Sequence, residues 1–275
     1  MLYTIKNNLI SVTVKSEGGS MTSIKYLPEN EERQWQGGKE WQGQDVVIFP
    51  IVGHAEPYEV CGKTYSPKSH GVARYREFTL VEKTDTSLTL SLSSSEQTLK
   101  DYPFEFDFLL KYELKDNSVQ ITYKVSGKNG KIPFYVGGHP GMKAPGGEAI
   151  IEFENVENPV LYPLQSDKAV QLTDIKRFVA NKAFFKECQT FQLGNLSGGA
   201  IYACTQDGYK YTYKSDCPLF AFWSNQESGD YICVEPWWGI NDYPQAPREI
   251  TLKPFINFAD ENAKEFSYTL SIQKL

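Results

Sequence analysis

The chain has 275 residues, 40% of them hydrophobic and 14% aromatic, and a formal net charge of −6. This composition supports a packed core and excludes a disordered protein, while the negative balance argues against a nucleic-acid partner, whose phosphates would repel it. No apolar stretch approaches a membrane span, the first residues lack a signal-peptide core, and five cysteines without a CxxC pair (Cys61, Cys188, Cys204, Cys217, Cys233) read as reduced thiols of a cytoplasmic protein.

Along the chain, alternation of apolar and polar residues with a period of two recurs almost everywhere, which is the signature of half-buried strands. It appears first over Ile10 to Val14 and again over Ser87 to Leu92. The best helical candidate, around Ser95 to Lys100, covers only about two turns. Asp116-Asn117 and Lys128-Asn129-Gly130 then flank an alternating run from Val119 to Val125, and both read as hairpin-type turns. Gly37-Gly38 and Gly198-Gly199 also read as turns. Further alternation covers Tyr209 to Tyr213 and Phe266 to Ile272. About fifteen to twenty short strands are expected, packed face to face as a large antiparallel sandwich. No linker, charge block or repeat divides the chain, so a single all-β domain over residues 1–275 is the expectation.

Three places carry chemistry. The run Ile132 to Met142 ends an apolar segment with Gly137-Gly138-His139-Pro140, holding one of only three histidines on a stiff turn. A second imidazole sits in Ser69-His70-Gly71-Val72-Ala73-Arg74; if that run is extended, His70, Val72, Arg74 and Arg76 share a face, and the imidazole and guanidinium suit an oxygen-rich ligand. Glu235 ends the apolar run Tyr231-Ile232-Cys233-Val234, before Pro236-Trp237-Trp238. An ionised carboxylate is seldom buried without a partner or a task. A salt bridge to Arg248 or a lysine is the structural alternative. Two imidazoles and a carboxylate form an acid–base kit, and the flat face of Trp237 suits the C–H face of a sugar ring. No metal-ligand spacing, nucleophile elbow, P-loop or dinucleotide fingerprint is present, so no metal and no cofactor are expected.

These runs resemble the aldose 1-epimerase (galactose mutarotase) family, and within it the LacX-like branch. The resemblance rests on five blocks in order: Gly18 to Ile24; Phe49-Pro50-Ile51-Val52-Gly53 with Gly62 to Tyr65 and Ser69 to Arg74; Tyr102 to Phe106; Gly137 to Pro140; and Cys233 to Trp237. It implies a galactose mutarotase-like β-supersandwich and a small-molecule sugar substrate, with neither nucleic acid nor membrane as partner. It implies Glu235 as general base on the anomeric hydroxyl and His139 as general acid on the ring oxygen. His70 would hold the ring-side oxygens, and Arg74, His54 and Trp237 would bind the sugar. The pair would then begin as carboxylate and imidazolium. Where family members often carry an arginine after Gly53 this chain has His54; where LacX-like proteins tend to place an aspartate it has Lys182; and the Asp-His-Asn run of galactose-type enzymes is missing. These departures bear on which sugar is preferred. Two other functions stay open: a hexose-6-phosphate 1-epimerase, for which Lys68, Arg74, Arg76 and Lys182 could supply positive charge, and a non-catalytic sugar-binding or sensing protein.

Overall fold

Twenty-five strands and little helix make up the computed structural model, which describes residues 1–54 and 56–275. Every ladder between named strands is antiparallel. All five alternating runs are strands, and in Ile10–Lys15 buried and half-buried residues strictly alternate, as the period of two requires. The strand count exceeds the expected fifteen to twenty because several ladders, such as Val160–Leu161 with Val170–Gln171, are only two residues long and leave no periodic trace.

Two sheets matter for the site. A nine-stranded sheet runs, in spatial order, from Ile175–Ala180 through Ala149–Glu157, Ala200–Thr205, Tyr209–Ser215, Lys264–Lys274, Ser118–Gly127, Phe106–Lys115 and Ser87–Ser93 to Thr79–Lys83. A second sheet places Phe191–Gly194, Leu219–Trp223, Tyr231–Trp238, Val136–Gly138 and Val47–Ile48 side by side, with Gly141–Lys143 also paired to Tyr231–Trp238. Between them lies the main core: the rings of Tyr123 and Phe266 pack on Trp238, and Phe153 on Phe222. Residues pointing the opposite way from the second sheet, including Leu219, Ala221 and Trp237, join Val46, Ile48, Val52, Tyr135 and Ile240 in a smaller cluster. Strand Tyr231–Trp238 is thus covered on both faces, which is why its sequence is apolar apart from Glu235 and every residue in it is buried.

Turn chemistry is legible in part. Asp116-Asn117 closes a two-residue hairpin, with Lys115 paired to Ser118 and Asp116 left-handed at φ 52°. Lys128-Asn129-Gly130 closes none: the strand after it, Ile132–Phe134, pairs with Asn257–Ala259 instead. The Ser95–Lys100 helix shrinks to one turn, Thr98–Asp101, and an unforeseen helix spans Lys182–Cys188, its first turn capped by the Asn181 side chain accepting from the Phe184 N–H at 3.0 Å.

Candidate active site

Cross-strand register assembles the site. Ile48 faces Gly137, Gly137 faces Trp237, and Ala221 faces Glu235, so His139, just beyond Val136–Gly138, comes alongside Glu235. A side chain at Gly138 would collide with the hydroxyls of Tyr268 and Tyr123, 2.6 and 2.9 Å from its Cβ position; only glycine brings this strand so close to the opposing sheet. The turn that follows holds the His139 Nε2 atom 3.5 Å from Glu235 Oε2, with both side chains more than nine-tenths buried. The salt bridge to Arg248 does not form: Arg248 lines an open groove, and the ionisable neighbour of Glu235 is His139.

His70 arrives differently from the expectation. The run is not extended: His70 and Gly71 are left-handed (φ 62° and 79°) and Ala73–Tyr75 is a turn of 3₁₀ helix, so the alternating face of His70, Val72, Arg74 and Arg76 does not exist. Gly71 presses on the main chain of Phe49, where a Cβ would lie 2.4 Å from the Phe49 carbonyl oxygen. That fold-over still delivers His70 to the site, its ring centroid 5.2 Å from that of His139. The Gly53 N–H donates to His70 Nδ1 at 3.1 Å. A backbone N–H can only donate, so Nδ1 is the acceptor and Nε2 carries the proton.

Burial governs the charges. Desolvation pushes the Glu235 carboxyl well above its ordinary range, against a smaller pull from the Trp237 indole N–H, and nearby Asp45 adds to the rise. Desolvation lowers His139, helped by the Arg74 cation, and it also lowers His70, helped by His139 and Arg74. Burial therefore favours carboxylic acid and neutral imidazole over carboxylate and imidazolium. The two forms hold the same number of protons and differ only in where one of them sits.

Of the remaining expected residues, Arg74 is half-buried beside a cleft of about 70 Å³ shared with Lys15, Ser20 and Asp45. Trp237 is 2% exposed, and its face belongs to the smaller core cluster, so it presents no face to a sugar, and its indole N–H has no hydrogen-bond partner among the described residues. His54 is exposed, its main chain tied to Asn241, and it lines a groove of about 670 Å³ with Asn241, Asp242, Arg248 and Lys253; the structure does not bring it into contact with the imidazole pair. Lys182 opens the short helix, within electrostatic reach of Glu40.

Other residues escaped the sequence reading. The indole of Trp41 stacks on His139 at 5.0 Å and 28°, and Trp223 meets the same ring edge-on at 5.5 Å. Trp41 thus roofs the pair, in a loop pinned where Ser228 Oγ donates to Glu40 at 2.7 Å. Cys233, two residues before Glu235 on the same strand face, is wholly buried. Asp45, 7% exposed, accepts from the Met21 N–H at 3.0 Å, and its other oxygen has no partner.

Burial raises Asp45 to about 6 from 3.8, against the pull of the Met21, Val46 and His139 main-chain N–H groups. The folded state then holds this proton more tightly than the unfolded chain, so the stabilising effect of the protonated form is complete below pH 3.8 and is lost as pH rises through about 6. Asp45→Asn should gain on the wild type by about 3 kcal/mol between pH 3.5 and 7, read from paired urea titrations. A pH-independent difference would refute the shift.

The family model for aldose 1-epimerase matches residues 1–247. Protein LacX of Lactococcus lactis subsp. lactis, plasmid form, is 26% identical over 301 aligned positions, covering 98% of this chain and 99% of that one. A galactose mutarotase related enzyme from Lactobacillus acidophilus superposes with a TM-score of 0.93 at 28% identity, covering 100% of this chain and 98% of the other. A galactose mutarotase-like protein from Lactobacillus casei gives 0.90 at 22% identity, covering 99% and 100%, and bears on the fold alone. The all-β architecture is the galactose mutarotase-like β-supersandwich.

Proposed function

This chain belongs to the aldose 1-epimerase family, and on that premise we propose that it is a mutarotase interconverting the α and β anomers of a free aldohexose of the galactose or glucose class. The observation that carries the reading is the buried His139–Glu235 pair at 3.5 Å. The two oxygens that exchange protons in mutarotation, the anomeric hydroxyl and the ring oxygen, are bonded to one carbon. A base and an acid serving them must be near neighbours, as these are.

In this reading sugar enters by displacing the Trp41 roof, and its hydroxyls supply the hydrogen bonds that a charged Glu235 and His139 lack in the dry site. Glu235, as carboxylate, takes the proton of the anomeric hydroxyl while His139, as imidazolium, delivers one to the ring oxygen. The bond between anomeric carbon and ring oxygen breaks, leaving an open-chain aldehyde. The pair is now acid and neutral imidazole, the arrangement burial favours, so the step returns the cost of first charging the pair. Rotation about the adjacent C–C bond presents the other carbonyl face; His139 then takes back its proton and Glu235 returns the other as the ring closes. His70, with its proton fixed on Nε2, donates a hydrogen bond to a sugar oxygen, and Arg74 binds hydroxyls from the rim. No step calls on a cofactor. One domain over residues 1–275 acting in carbohydrate metabolism is part of the proposal, supported by a core cluster running from Ile5 to Ile272.

A free sugar fits better than a phosphorylated one. Of the four cations suited to a phosphate, Arg76 faces the main-chain carbonyls of Tyr75 and Gln97, Lys182 is within electrostatic reach of Glu40, and Lys68 lies over the Tyr75 ring. NMR saturation transfer between anomers of galactose, glucose and glucose 6-phosphate tests the proposal. Acceleration on the free sugars, exceeding that on the phosphate, is expected; tight binding without acceleration would replace it with the sensor reading.

A further inference from the structure

We infer that His139, Glu235 and Cys233 together form a binding site for a divalent transition-metal cation of the zinc class, and that its occupancy shuts off proton transfer. Cys233 takes no part in the acid–base reading, yet the strand alternation puts it on the same face as Glu235, with His139 opposite. One donor atom from each of the three lies within 4.8 Å of the other two. The nitrogen–oxygen separation is already 3.5 Å, against about 3.3 Å for two ligands on a tetrahedral zinc with bonds of about 2.0–2.1 Å. The sulfur needs to close by no more than roughly 1.3 Å to complete a face of the tetrahedron.

Two further observations point to a cation. Glu235 Oε2 is buried and has no hydrogen-bond partner, although its residue is 1% exposed. The donor set also balances charge: one carboxylate, one thiolate and a neutral imidazole around a dication sum to zero, which a dry site tolerates where it tolerates no lone charge. Mixed sulfur, nitrogen and oxygen donors select zinc or cobalt over magnesium or calcium, which demand oxygen shells. Binding forms one bond from each donor and releases the carboxyl and thiol protons to solvent. Three protein donors leave the fourth position free. The way in is the one under Trp41 that the sugar also needs. The effect on turnover rests on the mutarotase reading, whereas cation binding stands apart from it.

Cobalt(II) serves as the probe, added to the chelator-treated full-length chain until absorbance is constant. A thiolate-to-cobalt charge-transfer band with the intense visible bands of a four-coordinate centre is expected in the wild type, and its loss is expected in both Cys233→Ala and Cys233→Ser. In parallel, zinc should inhibit anomer exchange in the wild type. The two Cys233 variants should keep metal-free activity and require at least about 10–100-fold more zinc for half-inhibition, since removal of even an outer-shell partner costs that much affinity. No band in either the wild type or the more open Trp41→Ala variant, both with native circular dichroism, would overturn the site. So would a band that survives without Cys233, which would report another thiol such as the exposed Cys61. A cobalt band in a protein that accelerates no anomer exchange would uphold the site and sink the mutarotase reading.

Discussion

Glu235→Gln is expected to lower catalysed anomer exchange by about 10²–10⁴-fold while leaving thermal stability equal to or above that of the wild type. The two halves of this expectation have one cause. Glu235 sits in a site that penalises its charged form, the form a general base must reach. Its amide analogue has nearly the same shape, faces no penalty for ionisation and cannot take the proton of the anomeric hydroxyl. Activity should fall and stability hold or rise, the trade expected where a site is kept uncomfortable for its chemistry. A purely structural carboxyl held by His139 predicts the reverse, because removing one partner of a buried pair costs about 3–5 kcal/mol. Saturation transfer and a melting curve on the same sample separate the cases. Retention of a tenth or more of wild-type exchange would remove Glu235 from the role of base.

The legible and illegible parts of this chain divide by range. Strands such as Ser118–Gly127 announce themselves because alternation is a local consequence of one wet and one dry face. His139 and Glu235 could be singled out because an ionisable group at the end of an apolar run is locally anomalous. Their separation could not be read, since it depends on the registers joining Ile48, Gly137 and Trp237 across nearly two hundred residues of sequence. The geometry of the His70 run was misjudged because a left-handed histidine is set by its fit against Phe49, not by its own preference. Trp41 carries no local signal; its role as a roof arises from the Gly141 it packs on, where a Cβ would lie 2.5 Å from the indole. The pull of burial on the pair toward its uncharged form is not legible for a related reason, as ordinary pKa values assume solvent and the fold removes it.

Phe49→Ala is the substitution outside the acid–base pair with the largest expected effect, a loss of about 3–5 kcal/mol of stability. Phe49 is fully buried. Its ring centroid lies 4.9 Å from that of Phe106, 5.0 Å from Phe108, 5.7 Å from Tyr102 and 5.8 Å from Phe134, so truncation opens a cavity walled by four rings held on two strands and a turn. Walls built on sheet strands cannot collapse inward without moving the sheet, which places the cost toward the upper end of the range. The same residue supports the site through its main chain. Its carbonyl accepts from the N–H groups of Val72 and Ala73, at 2.7 and 3.1 Å, and its N–H donates to the His70 carbonyl at 3.3 Å. Alanine keeps those bonds, so the folded variant should still present His70, and its activity should follow the folded fraction as urea is raised. A midpoint shifted to lower urea with unchanged slope is the expected result. A cost below about 1 kcal/mol would mean the four rings do not pack around Phe49. Activity lost well before the unfolding midpoint would mean that the ring, and not only the main chain of Phe49, holds His70 in place.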